Sequence, residues 1–411
     1  MRNSYVFLGI IYFAVCLFRI SFAQTSILLG QDKNTRPVTT SVPFLMIAPD
    51  SRASGMGDAG GALSADANAV HWNAAKLAFA PERAEISLSY TPWLRRLGVN
   101  DMFLSYLSGY YRLDRLQTLA FSLRYFNLGD MDFTDNNANI IQRFSPREFA
   151  LNAIYARKLS EAFAVSVGGF MVYSNLAASL TLPNQVEAKP GVTGGAEVSA
   201  YYKKDNLMIA DKEVQWALGV SFNNIGAKIS YSNANQTDFI PVNLRLSNGL
   251  TAKIDNFNRI TWATDFNKLL VPTPPLRDST GRIVRGVDPR NLTVLGGIYS
   301  GLVEAPDGFS EKLREFTIGT GLEYWYTDAS GNDIFAARIG YFHEHPTKGN
   351  RKFVTLGTGI RYKEFGLDLS YLLAASQASQ NALSDTIRFT FLYKIRNRKG
   401  GSIIPVETEQ E

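Results

Sequence analysis

The stretch Leu119-Ala120-Phe121-Ser122-Leu123-Arg124-Tyr125 decides the fold of this 411-residue chain. Large apolar residues occupy its odd positions, and Ala, Ser and Arg occupy the even ones. Because successive side chains of a β-strand point to opposite faces, this period of two predicts a strand with one apolar and one polar face. The large residues of 365–371 and 387–393 repeat the same spacing.

Segments of this kind, each about 10 to 14 residues long, fill the chain from Ala84 to Ile395. A mean soluble strand has only about 5 to 6 residues, whereas a tilted membrane-spanning strand needs about 9 to 11. Aromatic residues such as Tyr110-Tyr111 stand near segment ends, as in the girdle at a lipid interface. We therefore predict an all-β fold, a transmembrane antiparallel β-barrel with its apolar face outward. The alternative is a large soluble β protein with its apolar face inside.

About 14 strands are predicted, an even number as expected of a bacterial barrel. They start near Ala84, Phe103, Leu116, Arg147, Ala162, Val192, Val214, Pro241, Phe257, Arg314, Asp333, Arg351, Phe365 and Asp385. A further apolar segment, Asn291 to Val303, is predicted as a short helix in a long extracellular loop. Its apolar residues recur at helical spacing, and Asp288-Pro289 provides a helix start.

Loop lengths orient the barrel. If both termini are periplasmic, the short connections become periplasmic turns and the long ones extracellular loops, as barrels prefer. The short turns are 113–116, 158–161, 255–258 and 363–366. The long loops are about 129–146, 175–190, 224–240, 268–313 and 375–384.

The charge distribution and the leader sequence restrict the classes of function that are expected for the chain. Only 19% of the residues are charged, and the Lys and Arg residues behind the net charge of +5 are scattered, so nucleic acid is not expected as a partner. Residues 1–23 are predicted to be a signal peptide cleaved between Ala23 and Gln24. The single cysteine, Cys16, lies within it, so the mature chain is expected to hold no disulfide.

Residues 24–83 do not alternate. They contain the glycine-rich run 54–61 and a small-residue stretch from Asp66 to Leu77, which let backbone approach backbone closely. We predict that 24–83 form an N-terminal hatch, or plug, inside a barrel of residues 84–395, followed by a charged periplasmic tail of residues 396–411. A phosphate-binding loop is not expected, because no strand precedes the glycines and no Gly-Lys-Ser/Thr follows them.

The run from Met56 to Ala62 and the segment His71-Trp72-Asn73-Ala74-Ala75-Lys76-Leu77 resemble the hatch of FadL-like barrels, a superfamily of fatty-acid transporters. Within it, the chain most resembles the PorV family of the type IX secretion system. That resemblance extends along nearly all of the mature chain and includes 305–309, 340–344, 355–359 and 383–389.

The resemblance implies an outer-membrane protein without enzymatic activity. Such proteins bind the C-terminal domains of secreted cargo at the large type IX translocon barrel and carry them to a cell-surface attachment complex. Outer-membrane lipid surrounds the barrel. Uptake of fatty acids or other hydrophobic small molecules, which the superfamily also performs, remains the alternative, and a structural barrel with another partner is a third possibility.

Charged residues on the inward parity form the first candidate site. We expect them to form a paired network that braces barrel and hatch, because burying so many unpaired charges would be too costly. A ligand path is the alternative. The residues are Arg124, Arg245, Asp265, Glu323, Arg338, Arg361, Asp368 and Arg388, with Arg259 in addition.

Apolar and amide residues of the outer loops form the second candidate site, for cargo or another partner. The stretch from Leu270 to Leu276 holds three prolines and presents aliphatic side chains, as an anchor should. The alternative is that these residues only pack loop against loop. The candidates are Met131, Phe133, Asn136, Phe239, Ile240, Leu270, Val271, Pro274, Pro275 and Leu276.

Catalytic, cofactor and metal sites are not predicted. The chain has only three histidines, His71, His343 and His345, and the latter two lack an evident third ligand for a metal. The motifs Gly319-Thr320-Gly321 and Gly357-Thr358-Gly359 lie inside predicted strands, where they indicate close packing in the barrel.

Overall fold

A computed structural model describes residues 35–95, 98–134, 137, 139–176, 181–182, 186–232, 237–278, 280, 282–375 and 385–395. The signal peptide and the charged tail predicted from the sequence lie outside these residues. The long strands are β1 (Ala84–Pro92), β2 (Met102–Arg112), β3 (Gln117–Leu128), β4 (Arg147–Lys158), β5 (Phe163–Asn175), β6 (Gly191–Ile209), β7 (Lys212–Gly226), β8 (Asn243–Lys253), β9 (Asn258–Leu269), β10 (Phe316–Thr327), β11 (Asp333–His343), β12 (Lys352–Tyr362), β13 (Phe365–Ala374) and β14 (Thr386–Ile395).

These 14 strands form one closed antiparallel barrel. Each strand pairs with the next along the chain, and β1 also pairs with β14, from Ala84 opposite Ile395 to Tyr90 opposite Phe389. The closure removes both sheet edges, which an open sheet could not satisfy in lipid. The predicted barrel of about 14 strands is confirmed, and every predicted start lies within two residues of the observed one.

The two faces of the wall match the alternation in the sequence. In β3, Leu119 and Phe121 are 46% and 44% exposed, whereas Ala120, Ser122 and Arg124 are buried. The same contrast recurs around the barrel, so large apolar side chains point outward and small or polar ones point into the lumen. The outer face is therefore built to contact lipid. Among the described residues, no helix is both long and apolar enough to cross a membrane.

Long connections gather at one end of the barrel and short turns at the other. The connection from β9 to β10 contains helices α3 (Val294–Val303) and α4 (Phe309–Arg314). The prediction of a helix in this loop is confirmed. The long-loop end also has two-stranded hairpins and short 3₁₀ helices. The hairpins are Met131–Thr134 with Ile140–Phe144, Thr181–Leu182 with Val186–Glu187, and Leu276–Arg277 with Ile283–Arg285; the 3₁₀ helices are Pro289–Asn291 and Pro346–Lys348.

Residues 35–83, here called the luminal segment, lie inside the barrel. The segment bonds to strands on opposite sides of the wall, for example through Ser51 to Thr390 in β14 and through Asn73 to the Ala200 carbonyl in β6. A chain that contacts opposite walls of a closed barrel must occupy its interior. Its short helices are the α-helices α1 (Ser51–Ser54) and α2 (Ala69–Trp72) and the 3₁₀ helices Pro43–Met46 and Ala74–Phe79.

The luminal segment begins and finishes at different ends of the barrel. Arg36 bonds to Asp307 beside α4, and the Ser41 N–H donates to the Phe239 carbonyl in the β7–β8 loop. These residues therefore lie at the long-loop end, while Ala84 and Ile395 lie at the short-turn end. The luminal segment therefore runs the length of the lumen before β1 begins. The predicted periplasmic location of the two termini falls on residues outside those described.

Candidate functional site

The luminal segment packs against the barrel wall so closely that its backbone contacts the backbone of the strands. Gly57 has a positive φ of 70°, and a Cβ there would lie 2.5 Å from the Tyr341 carbonyl oxygen. A Cβ on Gly340 would lie 2.0 Å from the Gly57 nitrogen. The motif glycines Gly319 and Gly357 stand against Gly57 and Gly55 in the same way. Only glycine permits this approach, which explains the glycines on both partners.

A chain of buried ion pairs joins the segment to strands β10 to β13. Arg52 of α1 donates to Glu323 at 2.8 Å, and Glu323 also accepts from Arg338 at 2.8 Å. Arg338 then pairs with Asp368 at 2.8 Å, and Arg361 reaches the other Asp368 oxygen at 2.7 Å. The structure thus brings together four of the residues selected from the sequence. Arg52 was not selected from the sequence. It lies in a segment without alternating apolar and polar residues, so no pattern indicates that its side chain faces these carboxylates.

Other selected charges hold the segment at separate points. Asp265 accepts from the backbone N–H groups of Gly60 and Gly61 at 3.0 and 2.9 Å, and its carboxylate lies 3.7 Å from Arg245. Arg124 donates to the carbonyls of Phe44 and Leu45 at 2.7 and 2.6 Å. These bonds satisfy both the charged side chains and backbone groups that burial would otherwise leave unpaired.

Two of the inward charges stand outside these contacts. Arg259 pairs with Asp333 at 2.9 Å near the short-turn end, where both side chains are partly exposed. Arg388 is buried, and its Nε has no hydrogen-bond partner among the described residues. The arrangement has one consistent effect, which is to fasten residues 44–61 to the wall from several sides.

A cavity of about 840 Å³ opens at the short-turn end beneath the luminal segment. Its lining carries both signs of charge, including Asp66, Lys76, Glu85 and Arg361, with Trp325 beside them. A hydrophobic molecule would have to displace water from these charged groups to enter it. The cavity is therefore a vestibule in which charged groups are mixed with apolar ones such as Phe79 and Ile334.

Four of the outer-loop candidates are buried, so the expectation that they are exposed is wrong. Phe239 lies under Gly297 of α3, and Leu270 and Val271 lie under Gly301. Ile240 is 1% exposed in the core at the long-loop end. The physical reason is that α3 turns its small residues toward the barrel, where Gly297 packs on the Phe239 ring and Gly301 packs on the backbone of Leu270 and Val271. This is the loop-packing alternative.

The remaining candidates divide into two groups. Pro274, Pro275 and Leu276 are half-buried, and Met131 is exposed. Asn136 and the side chain of Phe133 lie outside the described residues. Among the candidates that the structure describes, no compact partner site is therefore formed.

The structure instead exposes apolar side chains on the far face of α3 and α4. Leu295, Tyr299 and Leu302 follow one another at helical spacing, opposite the buried Gly297, Ser300 and Gly301. Leu295 is 75% exposed and Phe309 is 76% exposed. A cluster of large exposed apolar residues on a water-facing loop is typical of an interaction site. We call this cluster the outer apolar surface; it consists of Leu295, Tyr299, Leu302, Val303, Phe309 and Leu313.

A buried group of charges, the outer ionic cluster, lies on the other side of α4. Glu315 accepts from Lys268 at 2.7 Å, from Thr273 at 2.6 Å and from Lys312 at 3.2 Å. Lys348 of the β11–β12 loop bonds to Glu311 at 2.6 Å, and Arg36 lies 3.1 Å from Glu311. The cluster ties α4 to three other segments, so the helices that carry the outer apolar surface are held in place.

Acid is expected to loosen this attachment. Burial alone would raise the pKa of Glu315, but the bonds from Lys268 and Thr273 outweigh burial and hold that pKa below its ordinary value of 4.5. A carboxyl whose pKa is lowered by folding stabilises the folded state above its unfolded pKa and loses that contribution as pH falls through the folded pKa. Protease cleavage between α3 and β10 should stay slow at pH 7 and pH 5 and rise only below about pH 4.5. Faster cleavage already between pH 7 and pH 5 would contradict this assignment.

No metal centre is found in the described part of the chain, where no three His, Cys, Asp or Glu side chains are grouped to hold an ion. His71 is packed in the lumen with its Nδ1 at 2.9 Å from Arg124. His345 bonds to Thr347 within its own loop. The described histidines thus have structural partners.

Comparison with known sequences gives one family. The model of the family described as "Type IX secretion system protein PorV" matches residues 30–276, which is more than half of the chain. The match covers the luminal segment and strands β1 to β9. No curated protein matches the chain.

Three solved structures with a similar arrangement have low sequence identity to the chain. The Pseudomonas putida toluene transporter TodX is 12% identical with a TM-score of 0.48, over 85% of this chain and 99% of TodX. The Ralstonia pickettii toluene transporter TbuX is 14% identical with a TM-score of 0.45, over 84% and 98%. A Pseudomonas aeruginosa FadL homologue is 11% identical with a TM-score of 0.45, over 88% and 99%.

Proposed function

The chain belongs to the PorV family of type IX secretion system proteins, and from this premise we propose that it carries secreted cargo on its outer apolar surface. It is an outer-membrane β-barrel of that secretion system. In the proposed cycle, the barrel accepts the C-terminal domain of a cargo protein at the large translocon barrel. It then moves in the membrane to the cell-surface attachment complex and delivers the cargo there.

The single observation that carries the proposal is an exposed apolar surface mounted on a blocked barrel. Leu295, Tyr299 and Phe309 are exposed at the long-loop end, and no described element covers them. Anchors of this kind contribute most of the binding free energy in protein interfaces. A protein partner that covers them would remove this apolar area from water.

The blocked lumen favours a carrier over a channel. The luminal segment is bonded to wall strands on all sides, so a solute would meet it wherever it entered. Uptake of hydrophobic molecules, the alternative from the sequence, requires a continuous apolar path. The vestibule at the short-turn end does not provide one, because charged groups of both signs interrupt the apolar residues of its lining.

The outer apolar surface can be tested by charge substitution. The double variant Leu295→Glu and Tyr299→Glu should assemble normally, because both side chains are exposed, and should lose at least tenfold in affinity for cargo. The measurement is binding of a purified cargo C-terminal domain to the barrel in detergent. The matched control is Val284→Glu, which introduces the same charge at a 64% exposed position of the same loop.

The outcomes separate clearly. Cargo binding that survives the double variant would overturn this assignment of the surface, whereas loss in both variants would indicate a non-specific charge effect. Deletion of 270–276, the test suggested by the sequence, would remove the buried Leu270 and Val271 that support α3, so it would not isolate a binding effect.

A further inference from the structure

The vestibule at the short-turn end is large enough to hold a ligand. Its volume of about 840 Å³ lies within the range of about 300 to 1,000 Å³ that is typical of ligand pockets. Aromatic and aliphatic side chains such as Phe79 and Ile334 share its lining with charged ones. An occupant that fits this lining has to combine apolar groups with charged groups.

A buried lysine in the lining lacks a counter-ion. Lys76 is 2% exposed, and its Nζ donates to the Gly60 carbonyl at 2.6 Å. Among the residues that the structure describes, no carboxylate forms an ion pair with Lys76, and a lysine ammonium has two more donors to satisfy. Because an unpaired buried cation is costly, the lining favours an occupant that brings negative charge.

Trp325 adds a second donor without a partner. The ring lines the vestibule, and the guanidinium groups of Arg338 and Arg361 lie over it at 5.2 and 5.0 Å from the ring centre. The Trp325 Nε1 is buried and has no acceptor within the described residues. Buried donors are normally paired, so a carboxylate or carbonyl oxygen of an occupant would complete this part of the lining.

The last strand of the barrel ends at the edge of this vestibule. Leu392 and Lys394 of β14 both belong to its lining. Lys394 also lies 3.7 Å from Glu82, another lining residue. Since β14 ends at Ile395, the chain continues into residue 396 directly beside the opening.

Residues 396–411 lie outside the described residues, but their sequence is complementary to the lining. A basic stretch with Gly400-Gly401 comes first, and the apolar run Ile403-Ile404-Pro405-Val406 follows it. Three acidic residues, Glu407, Glu409 and Glu411, come last. The apolar run suits the aromatic and aliphatic part of the vestibule, and the acidic residues suit its unpaired lysine.

The connection is also long enough to bring this sequence inside. The eight residues from Ile395 to Ile403 span about 26 Å when extended, which approaches the hydrocarbon thickness of about 30 Å. A glycine pair within the connection provides flexibility. A segment tethered in this way has an effective concentration in the millimolar range, so it is favoured over free molecules of similar chemistry.

We propose that residues 403–411 of this chain fold back into the vestibule and close the lumen at the short-turn end. The run from Ile403 to Val406 covers the apolar part of the lining, and an acidic residue beyond it pairs with Lys76. The luminal segment is then covered at this end as well. The proposal concerns the end of the barrel opposite to the outer apolar surface and does not depend on cargo binding.

The first test is disulfide formation between the segment and the lining. The single cysteine, Cys16, belongs to the predicted signal peptide, so two introduced cysteines report only on each other. Val406→Cys combined with Thr251→Cys, a position in the lining, should crosslink in the purified barrel under mild oxidation. The matched control combines Val406→Cys with Met208→Cys, which is 69% exposed in the hairpin of β6 and β7 at the same end and outside the vestibule.

The two pairs distinguish a bound segment from one that moves freely. Crosslinking to position 251 should be at least tenfold faster than crosslinking to position 208. Comparable rates, or a faster reaction at position 208, would overturn the proposal.

The second test measures how fast a water-soluble maleimide labels Thr251→Cys in the purified barrel. Labelling should become at least tenfold faster in a chain shortened to end at Ile395. It should also become faster when Glu407, Glu409 and Glu411 are all replaced with glutamine, a variant that keeps the tail length and every barrel residue. Equal labelling rates in the three proteins would overturn the proposal.

A synthetic peptide identifies the occupant. Added to the shortened chain, a peptide of residues 402–411 should restore slow labelling of Thr251→Cys, whereas a scrambled peptide of the same composition should not. Equal protection by both peptides would contradict specific binding. Protection that persists in the shortened chain without any peptide would show that another molecule fills the vestibule, and it would overturn the assignment to this segment.

Discussion

Replacing Glu323 with glutamine is expected to lower the free energy of unfolding by about 3 to 5 kcal/mol, the usual cost of breaking a buried ion pair from one side. Glu323 is 1% exposed and receives charged hydrogen bonds from Arg52 and from Arg338. The amide would leave two guanidinium groups close together in the lumen with one fewer negative charge. The measurement is a urea titration of the barrel refolded in lipid vesicles, with the slope compared between variants.

A matched ion pair controls for this substitution. Asp333→Asn removes one partner of the pair with Arg259, whose side chains are partly exposed near the short-turn end. Exposed pairs contribute about 0 to 1 kcal/mol, so this variant should unfold almost as the parent does. Equal effects of the two substitutions would contradict the view that the buried pairs brace the luminal segment.

Replacing Gly340 with alanine is expected to cost about 3 kcal/mol or more, because the added carbon would overlap backbone atoms that cannot rotate away. It would lie 2.0 Å from the Gly57 nitrogen and 2.2 Å from the Met56 carbonyl carbon. The luminal segment should be displaced from its contact with the wall. Proteolysis of residues 35–83 in the assembled barrel would then become faster, which can be followed together with the unfolding transition.

Gly169→Ala is the matched control for the contact between Gly340 and the luminal segment. Gly169 also lies within a strand of the wall, but a Cβ there would meet nothing closer than the Gly195 oxygen at 3.6 Å. The variant should keep the stability of the parent or gain slightly, since alanine loses less conformational entropy than glycine. A loss as large as that of Gly340→Ala would show that the strand glycines matter for the wall itself and not for the luminal segment.

The strands could be predicted from the sequence because one physical rule governs all of them. Each strand must present apolar side chains to lipid and smaller or polar ones to the lumen, as Leu119 and Ala120 do. The period of two therefore marks both the extent of a strand and the direction of each side chain. The same rule identified Glu323, Arg338 and Asp368 as inward charges, and they form one connected network.

Outside the strands, periodicity does not show which side of an element is covered. Leu270 and Val271 look like exposed anchors in the sequence, yet α3 packs on them through Gly301. The helix itself was predictable, but its apolar spacing could not show that Leu295 and Tyr299 face water. Arg52 and Glu315 depend on contacts between segments more than 40 residues apart, and no local pattern records such contacts.

The proposed function rests on two features, a lumen filled by residues 35–83 and apolar helices displayed at the long-loop end. The ion pairs of the lumen and the outer ionic cluster serve this arrangement, since they keep both the luminal segment and α4 in fixed positions.

The most direct test is to purify the protein from native outer membranes in mild detergent and identify what accompanies it. The account predicts secreted proteins that share one type of C-terminal domain, in amounts comparable to the barrel, and their loss from the Leu295→Glu and Tyr299→Glu double variant. A barrel that carries a hydrophobic small molecule in its lumen and no exported protein would contradict it.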